Sequence, residues 1–303
     1  MPEASESSAE KHQPVLLDAV LAHLTEHDST LDSDAVIVDG TVGLGGHAAA
    51  ILTRFPKARL IGIDRDPRSL ELAGQRLDRI GGSRGRVTLK QGSYADLPEL
   101  VPDIRRRPPR AILLDLGYSS WQLDARGFSF QTDAPLDLRF DPSQGMTAAE
   151  LIRRTPEREL ADLIYRYGEE RASRRIAKAL KEAPPETTAQ LAETVAQVKP
   201  RRGKIHPVTQ TFQALRIAVN DELGELERGL PALEGALATH GRLLVISFHS
   251  LEDRIVKRFI KASDGLKAVN KKVIVATREE VVGNPRARSA KLRVAEKAAA
   301  DSR

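Results

Sequence analysis

Residues 35–66 read A-V-I-V-D-G-T-V-G-L-G-G-H-A-A-A-I-L-T-R-F-P-K-A-R-L-I-G-I-D-R-D. An apolar, β-branched run ends in Asp39 and enters a turn containing Gly40, Gly43, Gly45 and Gly46. A second apolar run, Leu60–Ile63, ends in Asp64. Two short strands, each ending in an acid and separated by a helical interval, begin a βαβ unit whose ligand site lies beyond the strand ends. The glycines let backbone approach a ligand where a side chain would collide. Asp64 is placed to accept hydrogen bonds from a ribose.

Which adenosine-bearing cofactor this implies turns on Asp39. Gly43–Ala48 formally satisfies the G-x-G-x-x-G/A dinucleotide pattern, with Asp64 near the expected spacing, so a nicotinamide cofactor is an alternative. An acid ahead of the glycines would repel a pyrophosphate, whereas it suits a ligand with a positive amino group. S-adenosylmethionine carries an amino group, a sulfonium and a ribose and no phosphate. It is the expected cofactor, with Asp39 in its neighbourhood.

Outward from this stretch, strand and helix signals alternate. A helix is expected over Val15–Leu24 and strands at Ala35–Val38, Leu60–Ile63, Val87–Lys90 and Ala111–Leu114, the last ending in Asp115. Helices fall at Ala48–Thr53 and from Pro67 to about Ile80. The pattern predicts an α/β fold, a Rossmann-like doubly wound sheet. From Phe128 to Pro207 it turns helical and charged, with helices at Leu151–Tyr167, Arg171–Lys181 and Thr188–Val198. A long helix over Thr211–Leu237, a strand at Arg242–Phe248, a helix at Leu251–Lys261 and a final strand near Val273–Ala276 follow. The expected plan is a disordered tail (1–11), a cofactor-binding domain (12–127 and 208–303) and an inserted helical domain for substrate recognition (128–207).

The chain of 303 residues has no cysteine, a net charge of +5 and a sequence pI near 9.4. Basic residues cluster at Arg105–Arg107 with Arg110, at Arg174–Arg175, at Lys199–Lys204 and at Arg286–Arg293. Together with a nucleotide-type site they point to an RNA or DNA partner. No apolar run approaches the roughly 20 residues that span a bilayer, and Met1–Lys11 has no apolar core of a secretion signal. A cytoplasmic protein without a membrane partner is expected. The lack of cysteine removes thiolate nucleophiles, Cys-held zinc and Fe–S clusters, and with them the usual route to cytosine C5 methylation. No metal site is expected.

The fourth strand runs into D-L-G-Y-S-S-W-Q-L-D, Asp115–Asp124. Asp115 and Tyr118 have the polar-x-x-aromatic spacing with which amino-methyltransferases hold an exocyclic amine, though the usual prolines are absent. An amine needs orientation more than activation, and Asp115 offers an acceptor for it, as well as being a cofactor candidate. Tyr118 and Trp121 are placed either to stack on a base or to fill the core.

The chain resembles the MraW-type family of bacterial methyltransferases. The resemblance rests on His12–Leu17, Val38–His47, Ile63–Asp66, Leu113–Asp124, Arg126–Phe130, Pro135–Phe140, Tyr167–Arg171, Phe212–Leu223, Ile246–Arg258 and Asn284–Arg293, in order over nearly the whole chain. It implies S-adenosylmethionine bound by Gly45, Gly46, His47, Asp64, Tyr94, Asp115 and Gln122. It implies N4 methylation of a cytidine in the decoding region of 16S ribosomal RNA, within the small ribosomal subunit. The substrate candidates are Tyr118, His206, Arg216, Asn220, His249, Ser250, Arg286 and Arg288, and a homodimer is an expected assembly. His249 and Ser250 sit at the end of a late strand, where Ser250 is also placed to cap the next helix. Asp137 and Arg139 are expected to form an ordering ion pair. The sequence departs from the family pattern at Tyr94, Tyr118, Gln210 and Val273, and Gln210 puts one RNA contact in doubt. An RNA-binding assembly factor with a vestigial site is the non-enzyme alternative.

Overall fold

A computed structural model describes residues 14–25, 34–125, 127–200 and 206–299. The expected tail at 1–11 and the last four residues of the K-P-R-R-G-K run, 201–204, lie outside these residues. The described chain forms two compact units, one of residues 1–119 and 225–303, the other of 120–224.

The first unit is built on one sheet. Its strands are β1 (Val36–Asp39), β2 (Arg59–Asp64), β3 (Val87–Gln91), β4 (Ala111–Asp115), β5 (Arg242–Ser247), β6 (Leu266–Ala268), β7 (Ile274–Val275) and β8 (Lys291–Lys297). The order is β3-β2-β1-β4-β5-β8-β6, with β7 paired to β8. β1 to β5 are parallel, while β8 runs antiparallel to β5, β6 and β7. β1, β4 and β5 are buried along nearly their full length, which explains their continuous Val/Ile/Leu runs. Two apolar clusters flank the sheet. One gathers Ile37, Leu60, Leu113, Leu244 and Leu292 with Val20 and Ile51, and the other Val38, Ile63, Leu114 and Val245 with Leu230 and Val256. This is the doubly wound α/β fold.

The last strand is not where the sequence pattern placed it. Only Ile274–Val275 is extended in the expected stretch, and the long antiparallel member is Lys291–Lys297. Basic residues mask its alternation. Leu292 and Val294 are buried, while Lys291 and Arg293 reach Asp253 at 3.5 and 2.7 Å. That part of the C-terminal basic run therefore builds the sheet and pairs with an internal acid.

The second unit holds helices Ser120–Ala125, Ala148–Arg154, Glu157–Gly168, Ser173–Glu182, Thr188–Val198 and Thr209–Asn220. Pro156 divides the helix expected over Leu151–Tyr167, because the residue before a proline is driven out of the α region; Thr155 is extended, with ψ 130°. Lys181 caps the first piece by donating to the carbonyls of Ile152, Arg153 and Thr155 at 3.1, 2.7 and 3.0 Å. The long helix expected over Thr211–Leu237 is two, Thr209–Asn220 and Glu222–Ala236, broken at Asp221, which takes a left-handed φ of 51°. Asp tolerates that conformation better than most residues. The unit is wider than the expected insertion of 128–207 because Phe212 and Leu215 share an apolar cluster with Ile152, Leu160, Ile164 and Leu180. Among the described residues no helix is long and apolar enough to cross a membrane.

Candidate active site

Strand order reverses between β1 and β4, the place where open α/β sheets bind ligands. Both strands end there in an acid, Asp39 and Asp115, and β2 ends beside them in Asp64. Backbone bonds tie the turns to the strand ends: Gly40 N–H donates to Leu113 O at 2.8 Å, Val42 N–H to Ile63 O at 2.9 Å and Gly45 N–H to Val42 O at 2.7 Å. Gly45 stands at φ +74° at the N-terminus of the helix Gly46–Arg54, where a Cβ would also lie 3.4 Å from Ala73. Gly45→Ala is expected to cost about 1–2 kcal/mol of stability from the left-handed backbone alone, read as a lowered urea midpoint. At Gly46 a Cβ would meet Pro14 Cγ at 2.7 Å.

Asp64 accepts from Gly43 N–H at 2.8 Å and from Asp66 N–H at 2.9 Å, one bond to each carboxylate oxygen. Each oxygen keeps a further lone pair. Burial pushes its pKa up to about 6, against these backbone donors. Asp39 is more deeply buried, with Thr41 N–H at 3.3 Å as its hydrogen-bond donor. Burial pushes its pKa up to about 7, His47 opposes the shift, and Asp115 and Asp64 add to it.

His47 projects from the helix Gly46–Arg54 and is buried. Its Nε2 lies 3.5 Å from Asp115 Oδ2. Burial disfavours its charged form, but the Asp115 carboxylate and then Asp39 more than offset this, leaving its pKa above the ordinary value. The Val15 backbone also holds the ring, and Asp115 Oδ1 is buried without a hydrogen-bond partner. Thr41 Oγ1 accepts from Asp115 N–H at 2.6 Å and fixes the strand end. The site is thus a dense group of carboxylates around one histidine, suited to a cationic ligand and hostile to a phosphate.

Tyr94 is buried beside the strand ends, in a short turn capped by Ser93, whose Oγ accepts from Ala95 N–H at 3.0 Å. Its ring occupies the space a side chain at Gly229 would need, 2.5 and 2.7 Å from that position. Sequence reasoning missed the acid behind it: Glu225 accepts from Ser93 Oγ at 2.5 Å and pairs with Arg65 at 3.0 Å. No local motif marks Glu225, which meets Ser93 across 132 residues of chain. Gln122 is buried in the second unit, on the helix Ser120–Ala125.

The proposed substrate residues fall into different settings. Arg286 donates to the Tyr118 carbonyl, with its guanidinium 5.6 Å from the Tyr118 ring centroid. It therefore supports the turn after Asp115. Arg288 is exposed. His249, and not Ser250, caps the helix Ser250–Ala262: its Nδ1 accepts from Glu252 N–H at 3.4 Å while Glu252 accepts from His249 N–H at 3.3 Å. Ser250 is exposed.

In the second unit, His206 stacks on Phe130 at 4.9 Å and accepts from Val208 N–H at 3.3 Å. Arg216 and Asn220 are buried, so direct contact with an RNA does not fit either. Arg216 makes a two-pronged ion pair with Glu222 at 2.8 Å on each side. Asn220 holds Leu138 O at 2.7 Å and Phe140 N–H at 2.8 Å. Gln210 accepts from Lys199 at 2.8 Å and donates to Gly168 O at 3.1 Å, an internal bridge at the position where the family pattern has a basic residue. Asp137 and Arg139 pair at 2.7 Å.

The sequence signature of the MraW methylase family matches residues 9–298. The ribosomal RNA small subunit methyltransferase H of Deinococcus radiodurans is 50% identical over 310 aligned residues, covering 99% of this chain and 95% of that one. The protein of the same name from Synechococcus sp. (strain WH7803) is 48% identical, covering 95% of each. A crystal structure of an rRNA methylase from Streptococcus thermophilus aligns with a TM-score of 0.44 at 14% identity, over 91% of this chain and 95% of that one. With a family signature running through both compact units and half of all positions shared with a full-length relative, the chain belongs to the MraW methylase family.

Proposed function

We propose that the protein transfers a methyl group from S-adenosylmethionine to N4 of a cytidine in the decoding region of 16S ribosomal RNA, acting in the cytoplasm on the small ribosomal subunit. The observation that carries this reading is the set of acids at the switch point between β1 and β4, around a buried histidine. The residues fit the cofactor. Asp115 Oδ1 is buried without a partner at a strand end tied to Thr41 of the glycine turn, and the negative charge complements an ammonium and a sulfonium. Asp64 would take the ribose hydroxyls, Asp39 the neighbourhood of the amino group, and Gly45, Gly46, His47 and Tyr94 the remaining contacts within the first unit. When bound, S-adenosylmethionine supplies an electrophilic methyl group.

The protein's own part is then positioning. Asp115 Oδ1, without a partner in the structure, accepts from the exocyclic amine and sets the direction of its lone pair. The Tyr118 ring, held from behind by Arg286, offers a stacking face for the base. The second unit, with exposed Arg174 and Arg175, and Arg288 of the first unit grip the RNA backbone. S-adenosylmethionine is expected to raise the melting temperature, and NAD to leave it unchanged. Mass mapping of 16S ribosomal RNA from a deletion strain is expected to show one decoding-region cytidine lacking its N4 methyl. An unchanged cytidine refutes the assigned substrate.

A further inference from the structure

A direct methyl transfer to an amine leaves one proton to be placed, and the buried group around His47 is built to hold it. His47 Nε2 lies 3.5 Å from Asp115 Oδ2, at the rim where the target amine is oriented. Asp115 Oδ1 is buried without a hydrogen-bond partner, while the His47 ring is held by the Asp115 carboxylate and the Val15 backbone. The charged groups acting on His47 are Asp115 and Asp39, and those acting on Asp39 are His47, Asp115 and Asp64. Asp64 in turn feels Asp66 and Glu225, and Glu225 is paired with Arg65. A cluster made only to bind a cation would need carboxylates and no histidine. One made only to pack would not bury this many ionisable groups with open valences.

We propose that Asp115, His47 and Asp39 form one proton-accepting cluster, which takes up the proton shed by the target amine as the methyl arrives. The inference rests on the function proposed above. In the step, the amine lone pair forms the new N–C bond and the pair of the broken S–C bond stays on sulfur. The positively charged methylated amine then loses a proton to Asp115 Oδ1. With one proton shared among the histidine and the two carboxylates the cluster's charge is −1; with the transferred proton it holds two and is neutral. Asp39, raised to about 7, holds a second proton near neutrality. The loss of the ligand's positive charge strengthens that hold, so the charge of the site stays constant through the transfer. Asp115 touches the substrate. His47 and Asp39 touch no part of the target base and share the proton that reaches the cluster through Asp115.

The test is proton counting by calorimetry. S-adenosylmethionine and its demethylated product, S-adenosylhomocysteine, are titrated into the full-length protein at pH 7, each in two buffers of different ionisation enthalpy. The product is expected to bind with the uptake of more protons than S-adenosylmethionine, up to about one, since both ligands carry the α-ammonium and only S-adenosylmethionine adds the sulfonium charge. In Asp39→Asn the difference is expected to fall to near zero. If that variant does not fold, His47→Gln carries the same expectation. Single-turnover methylation of small subunits adds a second reading: its acidic limb should shift in either variant, which a purely structural role would not produce. Equal proton counts for the two ligands in the unaltered protein, or an unchanged difference in both variants, overturns the proposal. If neither ligand binds, it is the cofactor assignment that fails.

Discussion

Asp39→Asn is expected to stabilise the ligand-free protein at pH 8 by about 2 to 4 kcal/mol and to weaken S-adenosylmethionine binding by tenfold or more. The first effect follows from the direction of the pKa shift. Asp39 has a folded pKa of about 7 against 3.8 for an unperturbed carboxyl. Between these values the folded state binds a proton that the unfolded state has released, so rising pH removes stability across that window. Below about pH 4 both states are protonated and nothing is lost. Above about pH 7 the penalty is complete and level. Each pH unit of displacement is worth about 1.4 kcal/mol, and sharing of the proton with His47 reduces the total. Asparagine has the same shape and no charge, so it escapes the penalty. Urea unfolding at pH 4 and pH 8 reads this directly: the variant's advantage should be absent at the first and present at the second. The second effect has the opposite sign because the buried acid is there for a cation, and a lost charge-assisted hydrogen bond costs about 1.5–3 kcal/mol. A variant destabilised at pH 8 would show that ionised Asp39 is better satisfied than its burial implies.

The same position explains how much of the site could be read in the sequence. Asp39, Asp64 and Asp115 were legible because each closes an apolar run of fixed period, and a parallel strand places its last residue at the ligand rim whatever the rest of the chain does. The glycines were legible because only a ligand or a tight turn asks for them, and Gly45 is indeed left-handed. His47 could be named, but not its partner, since its meeting with Asp115 depends on β1 and β4 being neighbours. Glu225, the acid behind Asp64, was invisible for the same reason.

Where charge was dense, it misled. The C-terminal run from Arg286 reads as a solvated RNA-binding face, yet Arg286 supports the Tyr118 turn and Arg293 lies in β8 paired with Asp253. A strand whose alternate positions are Lys and Arg has the period of a strand and the composition of a tail, and composition is the louder signal. Helix breaks were missed where one residue decides them, Pro156 by its effect on Thr155, and Asp221 by a backbone angle no local pattern announces.

Arg216 is the clearest case in which an expected RNA contact and a structural role make opposite predictions. Its guanidinium meets Glu222 by Nε and by Nη2, each at 2.8 Å, and both side chains are only 8% exposed. Removing one member of such a pair leaves the other charge buried and uncompensated, so Arg216→Ala is expected to destabilise the second unit by about 3–5 kcal/mol. Arg216→Lys keeps the charge but loses the planar fork and should recover only part of this. The carbonyl of Arg216 also accepts from Asn220, whose amide group spans Leu138 O and Phe140 N–H, so loosening the helix end also loosens the segment between Leu136 and Phe140. Urea unfolding of both variants, together with the salt dependence of their RNA affinity, separates the two roles. A residue that touches only RNA leaves stability and cofactor affinity unchanged and lowers RNA affinity with a reduced salt slope. A buried positioning charge lowers the stability of the second unit and loses methylation with it, while the cluster of Asp39, His47 and Asp115 in the first unit still binds the cofactor.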